Sequence, residues 1–338
     1  MKAKQIAAIL LTLSLLLLAG CNGDNAATSE KGDVVTLKFA NSQTAEEVCS
    51  QEIEAFAERV RERSNGSIDI EVYHNGILGN DNQALEACAR GANYITYVDP
   101  AAMCYYVPDY SIMMGPYLFS DVSQIKKLAF SEYGDEMVEK AAEAGIRVLD
   151  HMSSYYGTRV FIADQPVATP ADMADMKMRV PSVPMWIQTV EAMGASTTTI
   201  SFSEVYTALS QGVINGMENP LPQIYAGRFN EVAKYVSLTN HIIQPNGIEM
   251  SESVFQSLTE EQQTILEEEA IAFAESVTEK VIIDEEDIRE KMIADGVEIV
   301  ECDLDAYREA TKGVYNQFAS EWSRGQSQIL CNRQKRCK

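Results

Sequence analysis

The chain is poor in the residues that most catalytic chemistry needs. Histidine occurs three times in 338 residues, at His74, His151 and His241, and no His-Glu-x-x-His run is present. That removes the usual sign of a zinc protease. No Gly-x-Ser-x-Gly, Gly-x-x-x-x-Gly-Lys-Ser/Thr or Gly-x-Gly-x-x-Gly run occurs, so neither a nucleophile elbow nor a phosphate-cradling loop is indicated. No two cysteines stand as Cys-x-x-Cys, which disfavours a zinc knuckle or thioredoxin-type site. Acidic runs such as Glu46-Glu47 and Glu267-Glu268-Glu269 are plentiful. On amphipathic helices such charges form a solvated face. No catalytic residue, metal ligand or cofactor is therefore assigned. The balance tilts from enzyme to binding protein, with a carboxylate-based hydrolase left open.

Positive charge is also scarce. Lys plus Arg is 27 against 50 Asp plus Glu, a net charge of −23. Nucleic acid is disfavoured as a partner, because phosphate binding needs a basic face. An organic anion can still bind where a few arginines converge. What is present is ordinary for a globular protein: 46% hydrophobic and 23% charged residues. That composition excludes disorder throughout, and the length suggests about two domains.

Long apolar runs are missing as well. The longest, Ile6 to Leu18, spans 13 residues with Thr12 and Ser14 inside it. It follows Lys2 and Lys4 and ends in Leu18-Ala19-Gly20-Cys21, so residues 1–20 read as a signal peptide, not a membrane span. The Leu-Ala-Gly-Cys ending resembles a bacterial lipobox, which implies cleavage before Cys21 and lipid attached to it. Residues 21–33 are then a lipidated tether, small and polar after Cys21. The expected location is extracytoplasmic, lipid-anchored to the bacterial cell membrane. Six further cysteines, Cys49, Cys88, Cys104, Cys302, Cys331 and Cys337, admit disulfides in an exported chain. Cys49 and Cys88 fall in two candidate helices; a bridge between them and two buried free thiols are both open. Cys331 and Cys337 flank a basic tail, which reads as a solvated end or a small closed loop.

Beyond residue 33, strand and helix patterns alternate. Val34 to Ala40, Ile68 to Val72 and Tyr94 to Val98 read as strands. Between them lie an amphipathic helix over about 44–63, with Ile53, Phe56, Ala57 and Val60 on one face, and a short helix from Asp81 to Ala89. Helices are expected near 123–130 and 135–144, and strands at 146–149, 158–163 and 178–180. Ser201-x-x-Glu204 and Thr259-x-x-Gln262 are capping boxes. The second opens a helix of about 35 residues, long enough to bend or to link two domains. The alternation argues for an α/β fold with largely parallel sheets.

Two arginines stand in unusual places. Arg159 lies within the strand Thr158 to Ala163, and Arg179 in the strand Met178 to Val180 before Pro181. A charged residue in such a strand faces solvent, pairs, or binds something. Guanidinium matches a carboxylate bidentately. Asn219, extended before Pro220, adds an amide that donates and accepts. Read alone, each arginine is more often a structural ion-pair partner.

From Tyr156 to Pro220 the sequence resembles the substrate-binding proteins of TRAP (tripartite ATP-independent periplasmic) transporters. The matching runs are Tyr156-Gly157-Thr158-Arg159, Thr169-Pro170-Ala171-Asp172-Met173, Lys177-Met178-Arg179-Val180-Pro181, Met193-Gly194-Ala195, Phe202 to Leu209, and Gly216-Met217-Glu218-Asn219-Pro220. A weaker likeness covers most of the rest. Asn215 and Asp175 depart from the family pattern, beside the residues carried over. The resemblance implies a two-lobed periplasmic-binding-protein-like α/β fold with a ligand cleft between lobes and a long linking helix. Lobe I is placed at 34–154 plus part of 245–285, and lobe II at 155–244 plus part of 286–330.

The same resemblance implies the site. Arg179 would bind a ligand carboxylate bidentately, with Arg159 as a second cation, Asn219 hydrogen-bonding the same carboxylate, Phe202 packing on the ligand and Ser182 lining the cleft. Asp99, with Asp81, Ser42 and Asn41 as weaker candidates, would read hydroxyls. Trp186, Tyr155 and His241 fit packing better than selectivity. An acid beside the ligand suits hydroxyls and repels a second carboxylate, which favours sugar acids (hexuronates, sialate-like acids) over C4-dicarboxylates. The expected function is an extracytoplasmic receptor that delivers an organic acid to TRAP membrane subunits. A C4-dicarboxylate receptor, or a sensory or enzymatic protein on the same scaffold, is the alternative.

Overall fold

The computed structural model describes residues 34–322. The signal peptide, Cys21, the tether and the Cys331–Cys337 tail lie outside them. Ten strands among the described residues join one mixed sheet: β1 (Val35–Ala40), β2 (Ile68–Tyr73), β3 (Tyr94–Val98), β4 (Ile146–Val148), β5 (Ser154–Ala163), β6 (Lys177–Arg179), β7 (Ser196–Thr198), β8 (Gly216–Pro220), β9 (Tyr235–Ser251) and β10 (Glu298–Val300). The order is β2-β1-β3-β9-β5-β8-β6-β7, with β4 and β10 also on β9.

The two ends of this path are parallel: β2, β1 and β3 at one end, β8, β6 and β7 at the other. The middle is not. β9 runs antiparallel to β3, β4 and β5, and β5 antiparallel to β8. The expected largely parallel sheet is thus corrected at its centre. The 17-residue β9 escapes a pattern search because its middle reads Asn240, Gln244, Pro245, Asn246, Gly247, which breaks period-2 alternation and looks like a turn. Pro245 is tolerated because it pairs with Tyr155 beside a bulge in β5.

That bulge requires glycine. Gly157 has φ +146°, and a Cβ there would lie 2.5 Å from Pro220 Cβ. β5 and β9 are the two long strands that run from one core to the next.

Those cores are separate. One gathers Leu37, Phe39, Ile53, Phe56, Ile95 and Phe273 around β1–β3 and the helix Val48–Arg63. The first turn expected for that helix is instead a turn in which Glu47 Oε1 accepts from Thr44 N at 2.9 Å. A second core joins Val160, Leu209, Met217, Ile224 and Val236, and a third Phe161, Met178, Val190 and Tyr307. The helix Glu260–Ala294 serves the first two: Phe273, Val277 and Val281 enter one core, Ile288 and Met292 the other. Thr259 caps it, with Gln262 N to Thr259 Oγ1 at 3.2 Å and Thr259 N to Gln262 Oε1 at 3.1 Å.

Cys49 and Cys88 are buried free thiols, so the bridge considered between them is not formed. Among the described residues no helix is long and apolar enough to cross a membrane.

Candidate functional site

Parallel strands carry ligand sites at their carboxyl ends, and here two such sets of ends face one cleft. Ser42 follows β1 and Asp99 follows β3. Arg179 ends β6 and Asn219 lies in β8. Asp81 and Phe202 open the helices Asp81–Ala89 and Phe202–Ser210. With Ser182 and Arg159, all eight line a single cavity of about 330 Å³. Trp186 lines it as well, while Asn41, Tyr155 and His241 do not. Asn41 turns inward to Ser50 and His74. Tyr155 points to the long helix, its hydroxyl donating to Glu285 Oε2 at 2.5 Å; its neighbour Tyr156, on the opposite face of the strand, lines the cleft instead. His241 stacks on Phe161, 4.9 Å between ring centres.

The two arginines are not equivalent. Arg159 is 4% exposed and is neutralised by Glu218, 1% exposed. Its Nε donates to Glu218 Oε2 and its Nη2 to Glu218 Oε1 at 2.8 Å, a two-pronged pair. Nη1 donates to Gln244 Oε1 at 2.6 Å, and the guanidinium lies 4.3 Å over the Trp186 ring. Burial alone would raise the Glu218 carboxyl, but the charge and hydrogen bonds of Arg159 outweigh it and hold it well below the usual carboxylate range. Burial lowers the pKa of His241 and favours the neutral ring beside this pair.

Arg179 is 5% exposed and has no carboxylate partner among the described residues. Its Nε and Nη2 both donate to the carbonyl of Ile200, at 3.1 and 3.0 Å, and Phe202 lies 5.9 Å from it. Burial pushes the guanidinium down to about 10, so it stays charged at neutral pH. A buried charge without a counter-ion is costly. Arg179 lines the cleft. The Asn219 side chain, 7% exposed, likewise has no hydrogen-bond partner among the described residues.

The facing wall is acidic. Burial raises Asp81 to about 6, against the hydrogen bond from Ser42 and with the added repulsion of Asp99. Burial raises Asp99 too; its Oδ1 accepts from Ala102 N at 3.1 Å. The cleft therefore has a cationic end with an amide and an acidic end with a hydroxyl. No cluster of three metal-ligating side chains occurs among the described residues.

Several groups in the lining, or behind it against Arg159, were not singled out from the sequence. Glu218 sat inside the quoted run before Asn219, and an arginine in a strand asks for a carboxylate nearby; that was the available signal. Gln244 and Asn246 lie in the stretch of β9 that reads as a turn. Tyr97 and Tyr105 carried no signal beyond being aromatic, and Tyr156 stood at the head of a quoted run without a role assigned to it.

Comparison with known proteins places these features in context. Residues 39–321 match the family described as bacterial extracellular solute-binding protein, family 7. The sialic acid-binding periplasmic protein of Vibrio cholerae is 30% identical over 314 residues, 92% of this chain and 94% of that protein. A TRAP periplasmic solute-binding protein from Ochrobacterium anthropi, solved with bound L-fuconate, superposes with a TM-score of 0.81 at 33% identity, covering 88% of this chain and 99% of the other. Another, from Sulfitobacter with bound β-D-galacturonate, gives 0.80 at 30% identity over 87% and 98%.

Proposed function

The chain belongs to the bacterial extracellular solute-binding proteins of family 7, receptors of TRAP transporters, and from that membership we propose that its ligand is a sugar acid. It is an extracytoplasmic binding protein that works with membrane permease subunits. The single observation that carries the ligand reading is Arg179, a buried cation lining the cleft without a carboxylate partner among the described residues. A monocarboxylate would pair with it bidentately and accept from Asn219. The hydroxyls of the same ligand would donate to Asp99 and Asp81, and Phe202 would cover an apolar face.

Charge decides between acid classes. Arg159 is already neutralised by Glu218, so among the described residues the cleft offers one free cation, Arg179. Asp81 and Asp99 would repel a second carboxylate. That supports hexuronate- or sialate-like acids over C4-dicarboxylates. The relatives that carry fuconate, galacturonate and sialate support the same class. Residues 34–154 with part of 245–285 would form one lobe and 155–244 with part of 286–330 the other, closing as a hinge on the ligand. Lipid on Cys21 would hold the receptor at the bacterial cell membrane.

A thermal-shift screen against D-galacturonate, L-fuconate, N-acetylneuraminate, succinate and malate tests this. A ligand at about 100 times its Kd adds roughly 2.7 kcal/mol of stability and moves the midpoint by several degrees. A shift with sugar acids alone is expected. A shift with succinate or malate alone would move the assignment to C4-dicarboxylates.

A further inference from the structure

The floor of the cleft holds a chain of polar groups whose direction is chemically fixed. Arg159 Nη1 lies 2.6 Å from the Gln244 side chain. Guanidinium is a donor only, so the atom of Gln244 that faces it is the amide oxygen. The Gln244 nitrogen then points the other way, 3.0 Å from the side chain of Asn246. An amide nitrogen needs an acceptor, so Asn246 presents its oxygen to Gln244 and its Nδ2 away from it. Arg159 cannot turn, because Glu218 holds it on two prongs. Nor can the Asn246 backbone: Ser154 Oγ donates to its carbonyl at 2.6 Å, and Ser154 is hydrogen-bonded to Tyr97 at 2.9 Å.

Gln244 and Asn246 are 2% and 4% exposed, and both line the cleft. The Asn246 Nδ2 has no hydrogen-bond partner among the described residues. Glu218, Arg159, Gln244 and Asn246 thus form a relay that ends, in the lining of the cleft, in a donor with no partner among the described residues.

We propose that Asn246 is a specificity-determining residue whose amide nitrogen donates to a mid-chain oxygen of the ligand, and that Gln244 is the positioning residue that fixes its orientation. The proposal rests on the sugar-acid reading above and adds what recognises the middle of the ligand. Asp81 and Asp99 only accept when ionised. They select hydroxyl hydrogens and do not recognise a ring or ether oxygen. Asn246 supplies the complementary donor. A short dicarboxylate has no oxygen at that position.

The test uses the whole protein, the variants Asn246→Asp and Gln244→Glu, and two readouts. Side-chain amide NMR on the unliganded protein measures exchange with water, with each signal assigned by its loss in the matching variant. The Gln244 amide protons are expected to be protected and those of Asn246 to exchange. In Gln244→Glu the new carboxylate has no proton to give, so the Asn246 amide turns and its protons become protected. Calorimetry then uses D-galacturonate, L-fuconate and succinate as probes. Both variants are expected to weaken galacturonate and fuconate about tenfold, near 1.4 kcal/mol, although Gln244 itself touches no ligand. Because each variant adds a carboxylate to the cleft, succinate is expected to weaken as well. Asn246→Ala, which adds none, weakens the two sugar acids and leaves succinate unchanged, and melting temperatures stay within a few degrees of the parent. Equal, free exchange of both amides, or sugar-acid affinity unchanged in Asn246→Asp, would overturn the proposal. If none of the three acids binds the parent protein, that counts against the sugar-acid reading, and the exchange measurement alone decides the relay.

Discussion

Arg159 and Glu218 neutralise one another beneath the cleft, from adjacent antiparallel strands and with almost no exposure of either side chain. Their pairing separates two arginines that look alike in the sequence. Arg159 is paired, and among the described residues Arg179 is the arginine lining the cleft that has no carboxylate partner.

Breaking that pair should cost stability. Removing one partner of a buried ion pair strands the other charge, at about 3–5 kcal/mol. Glu218→Leu should therefore lower the urea midpoint sharply, while Arg159→Met combined with Glu218→Leu recovers much of the loss. A double-mutant cycle by equilibrium denaturation checks this; additive effects would show that the two do not act as a pair.

The acidic wall should set selectivity. Asp81→Asn removes a charge and keeps an acceptor beside Ser42. Sugar acids should weaken several-fold, while succinate is expected to improve, so the ratio of their dissociation constants narrows by about tenfold. Calorimetric titration of both acids reads that ratio, and an unchanged ratio would remove Asp81 from the recognition account.

Asp150 makes stability depend on pH. Its Oδ1 accepts from the N–H groups of Met152 and Ile248 at 3.0 and 3.1 Å, while Oδ2 is buried without a partner among the described residues. Burial pushes it up to about 7. The folded state thus holds this proton to higher pH than the unfolded chain does. The contribution is full below pH about 4 and is lost as pH rises through 7. Asp150→Asn keeps the oxygen acceptor and drops the charge, so its melting temperature should fall less between pH 5 and 8. At pH 8 it should be the more stable protein, by about 1–3 kcal/mol. Parallel pH profiles would refute the assignment.

Gly157 is required by conformation and by space. Its φ of +146° is rarely adopted by residues with a Cβ, and that Cβ would meet Pro220 at 2.5 Å. Gly157→Ala should destabilise the protein by about 2 kcal/mol or more, read as a lower urea midpoint. A change under 0.5 kcal/mol would mean that the bulge relaxes freely.

Much of the architecture was legible because local signals agreed. The spans of the helix Asp81–Ala89 and of β3 follow from periodicity and stop signals. The helix Glu260–Ala294 follows from one capping box and a sustained apolar stripe. The centre of the sheet was not legible: β9 carries its polar residues inward to the cleft, so function erased the alternation that marks a strand. Arg179 was singled out because a charge in a short strand stands out, and Asn219 because it precedes Pro220 and carries a donor-acceptor amide. Gln244 and Asn246 were not singled out because the group that orients them, Arg159, lies far away in sequence, and no local pattern joins residues 159 and 244.

Titration of D-galacturonate into the parent protein and into Arg179→Ala tests the central claim most directly. The account expects saturable 1:1 binding by the parent and at least a hundredfold weaker binding by the variant, about 2.7 kcal/mol. The variant should keep its circular dichroism spectrum and cooperative unfolding, since among the described residues Arg179 hydrogen-bonds the Ile200 carbonyl alone. Equal affinity in the two proteins would contradict the claim that this arginine holds the ligand carboxylate.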